Sequence, residues 1–165
     1  MAIVGLGTDI VEIARIEQSL TRSPALVKRV LTPAEQAIYA TLAENHPANA
    51  ARYLAKRFAA KEAAAKALGT GIGRGVSFQH LSVSNNADGA PQLALSDYAA
   101  ELATQMGVSH IWLSITDEQA YAAATVILES YESATKRGAN ILGEVIGYGF
   151  SSNAQHISNP SVHGP

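Results

Sequence analysis

The sequence predicts an α+β fold in which a mostly antiparallel sheet packs around one long helix. The first observation is an alanine-rich segment that begins near Asn49, a residue type that caps helices, and stops at Gly69. The second is the alternation of apolar and polar residues in 108–116 and 121–128, which predicts a hairpin. A further alternating run, 76–84, leads into a turn. At 165 residues the chain is long enough for one domain with its own core.

The first residues predict a short strand and then a helix. Residues 2–6 form an apolar run, and Ile13 and Ile16 recur at helical spacing shortly afterwards. Asp9 is therefore expected at the junction, where with Glu12 it has the spacing of a helix capping box. A carboxylate on this glycine-flanked turn has a second interpretation, because it is also a hard oxygen ligand suited to Mg²⁺.

The long helix is predicted to carry charged side chains on a face of small and apolar residues. Glu62 and Lys66 lie one turn apart, and Arg57 and Lys61 place two like charges at the same spacing. Like charges at this spacing weaken a bare helix slightly, and a bound anion would offset that effect. The Glu62 and Lys66 spacing is also that of an ordinary surface ion pair. A phosphate and metal site and a solvated helix face both fit the pattern.

The formal net charge of −2 conceals an uneven distribution. Every Lys and Arg except Lys136 and Arg137 lies between Arg15 and Arg74, whereas residues 76–130 carry acidic residues and no Lys or Arg. The first half should therefore attract an acidic protein or a phosphorylated cofactor. Nucleic acid is the weakest of the acidic partners, because the overall charge is negative and no aromatic residues interleave with the cations.

The composition excludes several classes of protein. The chain contains no cysteine, which excludes disulfides, thiolate metal sites and thiol nucleophiles. No apolar run approaches the roughly 20 residues that span a membrane, and the first residues lack the basic start of a signal peptide. The default expectation is a cytoplasmic protein that does not enter a membrane.

Two spaced motifs carry a family resemblance. Residues 7–16, GTDIVEIARI, and residues 57–72, RFAAKEAAAKALGTGI, resemble the motifs of the holo-[acyl-carrier-protein] synthase family, a group of 4′-phosphopantetheinyl transferases. Shorter similarities follow in the same order as far as residue 130, at 31–35, 89–91, 113–117 and 121–124. The chain is identified as a member of this family over residues 1–130.

The resemblance implies a reaction and its residues. It implies a single phosphopantetheinyl transferase-like domain that transfers 4′-phosphopantetheine from coenzyme A to a serine of apo acyl carrier protein and releases 3′,5′-ADP. Asp9 and Glu62 would bind Mg²⁺, with Lys66 as a further catalytic cation. The general base stays open between Glu35, which also completes a capping box, and a metal-bound water. Contacts with coenzyme A are implied for five residues: Arg57, Lys61, Lys66, Gly69 and Thr70.

The resemblance also implies partners. A homotrimer with active sites between subunits would form through the sheet surface that carries Trp112, and Asp117 stands where some relatives have a histidine that touches the cofactor. That histidine contact is therefore not transferred to this chain. The alternative function is a non-catalytic module that binds coenzyme A or the carrier protein. Four basic residues match positions at which the family meets its acidic carrier protein: Arg15, Arg22, Lys28 and Arg29.

Residues 131–165 form an extension outside this pattern. Within it, residues 137–156 resemble a short internal segment of β-ketoacyl-acyl-carrier-protein synthases, with Asn153 where that family usually has Asp. The piece is too short for a condensing domain, and the chain lacks the cysteine nucleophile of that family. A fused or truncated reading frame, an engineered appendage and a strand that pairs with a sheet edge all remain open. We assign the extension no catalytic role.

Overall fold

A computed structural model describes residues 2–130 of the chain, and the sequence interpretations that concern residues 131–165 lie outside this range. The described part has an α+β order, as the sequence predicts. Its elements are β1 (Ala2–Glu12), α1 (Ile13–Arg22), α2 (Leu26–Val30), α3 (Pro33–Asn45), α4 (Pro47–Ala67), a 3₁₀ turn (Phe78–His80), β2 (Leu81–Asn85), β3 (Pro91–Leu95), α5 (Asp97–Gln105), β4 (His110–Asp117) and β5 (Tyr121–Ser130).

Two antiparallel sheets surround the long helix α4. The larger sheet has the strand order β1-β5-β4, and β2 pairs with β3 in a separate hairpin. Helix α4 packs against β1 and β5, and its alanines form much of the buried core together with Val126 and Leu128 of β5. Alanine has a small side chain, so the helix axis can lie close to the sheet. The predicted antiparallel sheet around a long helix is confirmed.

The two ends of α4 differ in how well the sequence locates them. Gly69 has φ +81°, the left-handed conformation that glycine adopts at little cost, and the helix ends just before it as predicted. The predicted cap at Asn49 is wrong, because α4 begins at Pro47 with His46 as the preceding residue. Proline suits the first position of a helix, since its missing N–H would have no partner there.

The boundary between β1 and α1 is also displaced from its predicted place. β1 continues through Asp9 to Glu12, and α1 begins only at Ile13. Asp9 lies opposite Ala124 of β5 in the antiparallel register. The capping-box interpretation of Asp9 is therefore wrong, because Asp9 lies inside a strand. The residue before α1 is Glu12, whose side chain makes no capping hydrogen bond.

The described residues, 2–130, contain no helix that is both long and apolar enough to cross a membrane.

Candidate active site

Two glycines bring β1 into direct backbone contact with α4. A Cβ atom at Gly7 would lie against the Ala63 carbonyl and 2.6 Å from the Ala67 backbone nitrogen, and one at Gly5 would lie against the Ala67 carbonyl. Alternate residues of a strand share one face, so Asp9 lies on the same side of β1 as these glycines. The glycine spacing therefore directs Asp9 towards the last turns of α4.

Asp9 meets the two charged residues of α4 that the sequence singled out. The Lys66 ammonium donates to Asp9 Oδ1 at 2.8 Å and to the Thr8 carbonyl at 3.0 Å. The Asp9 side chain is 16% exposed, against 48% for Lys66. Glu62 precedes Lys66 by one helical turn and is half-buried. The structure thus brings together Asp9, Glu62 and Lys66, which the sequence predicts as one catalytic group.

The electrostatics of Glu62 show that the two carboxylates interact. Burial raises the pKa of Glu62, the negative charge of Asp9 raises it further, and Lys66 lowers it by a smaller effect. Two neighbouring carboxylates in a partly buried site favour a cation between them. No cluster of three or more metal-ligating side chains occurs within residues 2–130. Mg²⁺ is commonly bound by one or two carboxylates together with substrate phosphates, a donor set that Asp9 and Glu62 fit.

Lys61 lies in a different environment from Lys66. Its side chain is 0% exposed, and its ammonium donates to Glu35 Oε2 at 2.6 Å and to the carbonyls of Val30 and Phe78 at 2.7 and 3.2 Å. A lysine ammonium has three N–H donors, and all three have partners inside the protein. Lys61 therefore has no free donor for a phosphate in this arrangement.

Glu35 is the buried counter-ion of Lys61. Its side chain is 2% exposed; Oε2 also accepts the Thr32 amide at 2.8 Å, and Oε1 accepts the Val83 amide at 2.8 Å. The Thr32 contact and Pro33 at the first position of α3 agree with the helix start predicted from the sequence. A carboxylate enclosed by these donors is poorly placed to take a proton from an incoming substrate.

Arg57 lies at the end of a small cleft. Its guanidinium stacks 4.4 Å from the centre of the Tyr53 ring, and Nη2 donates to Asn85 Oδ1 at 3.1 Å. Arg57 is 6% exposed, and its Nε atom and the Tyr53 hydroxyl are buried without a hydrogen-bond partner. Buried polar groups normally have partners, so a polar ligand in the cleft would complete this site. Lys56 and Asp117 also line the cleft, which has a volume of about 350 Å³.

Asp117 neutralises part of the positive charge beside this cleft. Its carboxylate accepts a hydrogen bond from Arg52 at 3.0 Å and lies 3.3 Å from the Lys56 ammonium. Burial acts to raise the pKa of Asp117, but the hydrogen bonds and charges of the two cations outweigh it and lower the pKa. The sequence marks Asp117 as a departure from its relatives. In the structure, its carboxylate forms ion pairs with both Arg52 and Lys56.

The backbone amides at the end of α4 are engaged by the helix itself. Gly69 N–H donates to the Lys66 carbonyl at 2.9 Å, and Thr70 N–H donates to the Ala65 carbonyl at 3.2 Å. Gly69 has open space beside its Cα, so a ligand can approach this loop closely. The predicted cofactor contacts of Gly69 and Thr70 stay predictions.

The four predicted docking cations lie on the first two helices. Ile13 and Ile16 bury one side of α1, and the cations on α1 and α2 are exposed. In the described residues, 2–130, no carboxylate forms an ion pair with any of the four. These cations are Arg15, Arg22, Lys28 and Arg29.

The outer face of the larger sheet carries several exposed apolar side chains. Ile3, Leu6 and Ile10 of β1 are 63–66% exposed, unusual for residues of this size. Leu6 lies opposite Ile127 of β5, which in turn lies opposite Trp112 of β4, so the three form one row across the sheet. Exposed apolar side chains grouped on one sheet face are typical of an interaction surface.

Sequence reasoning missed two residues around Arg57. Tyr53 lies four positions before Arg57 on the same helix, and that spacing was a usable signal. Asn85 reaches Arg57 from the end of β2, and no sequence spacing indicates this long-range contact.

Comparisons with known proteins agree with the geometry. The sequence profile of the 4′-phosphopantetheinyl transferase superfamily matches residues 5–126. The holo-[acyl-carrier-protein] synthase of Shewanella halifaxensis is 62% identical over 135 residues, covering 78% of this chain and 99% of the relative. The crystal structure of the synthase of Neisseria meningitidis has a TM-score of 0.70 and 38% identity, over 78% of this chain and all (100%) of that one. The Bacillus anthracis synthase in complex with coenzyme A (3′,5′-ADP) has a TM-score of 0.65 and 38% identity, covering 78% and 97%.

Proposed function

Because the chain belongs to the holo-[acyl-carrier-protein] synthase family, we propose that it transfers 4′-phosphopantetheine from coenzyme A to a serine of apo acyl carrier protein. The serine oxygen forms a bond to the β-phosphorus of the pyrophosphate, and the bond from that phosphorus to 3′,5′-ADP breaks. The observation that carries the proposal is the convergence of Asp9, Glu62 and Lys66 from two elements at one half-buried position.

We propose Asp9 and Glu62 as the protein ligands of Mg²⁺. Their like charges interact, which supports a shared cation. When bound, Mg²⁺ supplies charge neutralisation at the pyrophosphate and at the leaving phosphate. Lys66 pairs with Asp9 at 2.8 Å. Lys66 is the more exposed partner, and its flexible stem allows the ammonium to turn towards a phosphate oxygen.

Arg57 is the proposed phosphate contact in the cleft. A guanidinium binds phosphate through two parallel hydrogen bonds, and the stacked Tyr53 ring holds its plane in a fixed orientation. The unpartnered Nε of Arg57 supports this assignment. Lys61 is instead assigned a structural position, because its three donors are engaged. Gly69 and Thr70 are retained as proposed contacts of the cofactor.

The burial of Glu35 supports water rather than Glu35 as the acceptor of the serine proton. Its two carboxylate oxygens receive three hydrogen bonds from inside the fold. A general base must reach the proton that it removes. We therefore propose that the proton leaves to solvent at the open side of the site.

The exposed cations of α1 and α2 are the proposed docking surface for the acidic carrier protein. They are unpaired with carboxylates in the described part of the chain, which supports a role for an acidic partner. We further propose that the apolar sheet face joins three subunits, with the active sites between neighbours. The exposure of Ile3, Leu6 and Ile10 supports this assembly. A cytoplasmic location stays a prediction.

The direct test is incubation of the protein with apo carrier protein, coenzyme A and Mg²⁺, followed by mass spectrometry of the carrier. We expect the phosphopantetheine increment on the carrier serine, and its loss when Mg²⁺ is chelated. Glu101→Gln, at an exposed acid on α5, is the matched control for Glu62→Gln. Binding of coenzyme A and carrier protein without any mass increment would favour a non-catalytic binding module.

A further inference from the structure

The C-terminal end of α2 is held by side chains from other parts of the fold. The last carbonyl groups of a helix accept no hydrogen bond from within the helix, so they need donors from elsewhere. The Gln79 amide nitrogen lies 3.0 Å from the Lys28 carbonyl, 3.2 Å from that of Arg29 and 3.0 Å from that of Leu31. The Lys61 ammonium donates to the Val30 carbonyl at 2.7 Å. Four consecutive carbonyls therefore face donors that lie outside α2.

Lys61 connects this end of α2 to three other elements. It belongs to α4, its counter-ion Glu35 belongs to the first turn of α3, and its third acceptor is the Phe78 carbonyl of the 3₁₀ turn. The second oxygen of Glu35 accepts the Val83 amide of β2. Buried ion pairs are weak evidence for stability by themselves, and their best-attested use is to fix one arrangement among several. The network fixes where α2 lies.

The network lies between the proposed docking surface on α2 and the proposed catalytic carboxylate on α4. At one end are Lys28 and Arg29, the exposed cations of α2, whose own carbonyls Gln79 binds. At the other end is Glu62, which follows Lys61 directly in α4. A helix of five residues has too few internal hydrogen bonds to be stable alone, so its orientation depends on these outside contacts.

We propose that Lys61, Glu35 and Gln79 are positioning residues that set the orientation of the α2 cations relative to α4. This inference rests on the proposed function, in which α2 contacts the acidic carrier protein and α4 carries the catalytic carboxylate. A docking surface that is already oriented loses less conformational freedom on binding, so the network strengthens carrier binding without touching the carrier.

Gln79→Ala is the informative variant. Gln79 is exposed, so its removal leaves the buried core intact. Lys61→Met, in contrast, would leave the buried Glu35 carboxylate without its counter-ion and is expected to unfold the protein. Gln105→Ala, at an exposed glutamine at the end of α5, is the matched control. Affinity for apo carrier protein and for coenzyme A is measured by calorimetry, so the readout does not require turnover.

We expect Gln79→Ala to weaken carrier binding about tenfold, the worth of about one net hydrogen bond, with the same coenzyme A affinity as the parent chain. In the transfer assay, KM for the carrier rises while kcat at saturating carrier changes little. Unchanged carrier affinity, equal loss for both ligands, or an equal loss in Gln105→Ala would overturn the proposal, as would failure of the parent chain to bind the carrier. A parent chain that binds the carrier but does not transfer would refute the proposed function alone, and the Gln79 comparison would still decide this inference.

Discussion

The Lys66 ammonium lies 2.8 Å from Asp9 Oδ1, although 57 positions separate the two residues in the chain. The contact joins an edge strand of the larger sheet to the last turn of the long helix. In the described region, Lys66 is the only residue that forms an ion pair with Asp9. Lys66 lies one helical turn from Glu62. A positive side chain thus lies beside two interacting carboxylates, and the proposed metal would replace Lys66 as the counter-charge of Asp9.

We expect Asp9→Asn to reduce transfer by about a hundredfold or more at limiting Mg²⁺, because an amide is a poorer ligand for a hard cation than a carboxylate. The fold should persist, since Asn still accepts the Lys66 hydrogen bond and Asp9 does not cap a helix. The measurement is the initial rate of carrier modification as a function of Mg²⁺ concentration. Near-parent rates at limiting Mg²⁺ would remove Asp9 from the metal site.

Transfer should depend on pH through Glu62. Burial first, and the Asp9 charge second, raise the pKa of Glu62, so its carboxylate takes up a proton at a higher pH than an ordinary glutamate. As the pH is lowered, the rate should therefore begin to fall at a pH above the range in which an ordinary glutamate takes up its proton. Added Mg²⁺ should move that fall to lower pH, because the cation favours the ionised carboxylate of Glu62. A pH profile of kcat/KM at two Mg²⁺ concentrations checks this shift, and coincident profiles would contradict it.

Glu62 also gives a stability prediction with a definite sign. The folded pKa lies above the unfolded one, so the folded state binds the proton more tightly and stability falls as the pH rises between the two values. At neutral pH the ionised carboxylate is therefore a cost, and Glu62→Gln should raise Tm while it abolishes transfer. Thermal melts with and without Mg²⁺ test this, with Glu101→Gln as the control. A lower Tm for Glu62→Gln without metal would mean that the charge stabilises the fold.

Asp117→Asn should strengthen the binding of 3′,5′-ADP about threefold, the worth of a partly exposed ion pair. The change releases Arg52 and Lys56 beside the cleft that Arg57 lines, and leaves the cavity volume almost unchanged. Calorimetry at low and high salt measures the effect, which should shrink as salt screens the released cations. No gain in affinity at low salt would indicate that the nucleotide phosphates bind elsewhere.

Charge reversal on α1 should affect the carrier protein and spare the cofactor. Arg15→Glu or Arg22→Glu should raise KM for the carrier about tenfold and weaken its salt dependence, with coenzyme A affinity unchanged. Both side chains are exposed on a helix whose other side is buried, so folding should be unaffected. Glu17→Gln on the same helix is the control, because it removes an acid and should not weaken carrier binding. Parallel losses for both substrates would contradict the docking assignment.

Deletion of residues 131–165 should leave the transfer rate unchanged within about twofold. The predicted site residues all precede residue 130, and the Shewanella halifaxensis relative is matched over 99% of its length by 78% of this chain. Carrier modification and sizing of the shortened protein check this prediction. Loss of the oligomer, or a rate reduced more than about tenfold, would assign the extension to the functional unit.

The sequence indicated candidate side chains better than it predicted the structural environment of each one. The helix end at Gly69 can be predicted from local sequence, because glycine readily adopts the left-handed conformation that the structure shows there. The strand character of Asp9 was missed because pairing with Ala124 of β5, far along the chain, extends β1 past a segment whose local periodicity is ambiguous. The burial of Lys61 could not be predicted because α4 has alanine on nearly every side, so the sequence does not reveal which of its faces is buried.

The close approach of Gly7 to Ala63 also bears on the proposed metal site. No side chain separates β1 from α4 there, so the distance between the strand that carries Asp9 and the helix that carries Glu62 is set by backbone atoms in contact. Side-chain rotation cannot widen that distance. We propose that two glycines without any ligand atoms of their own thereby set the spacing of the two elements that carry the proposed metal ligands.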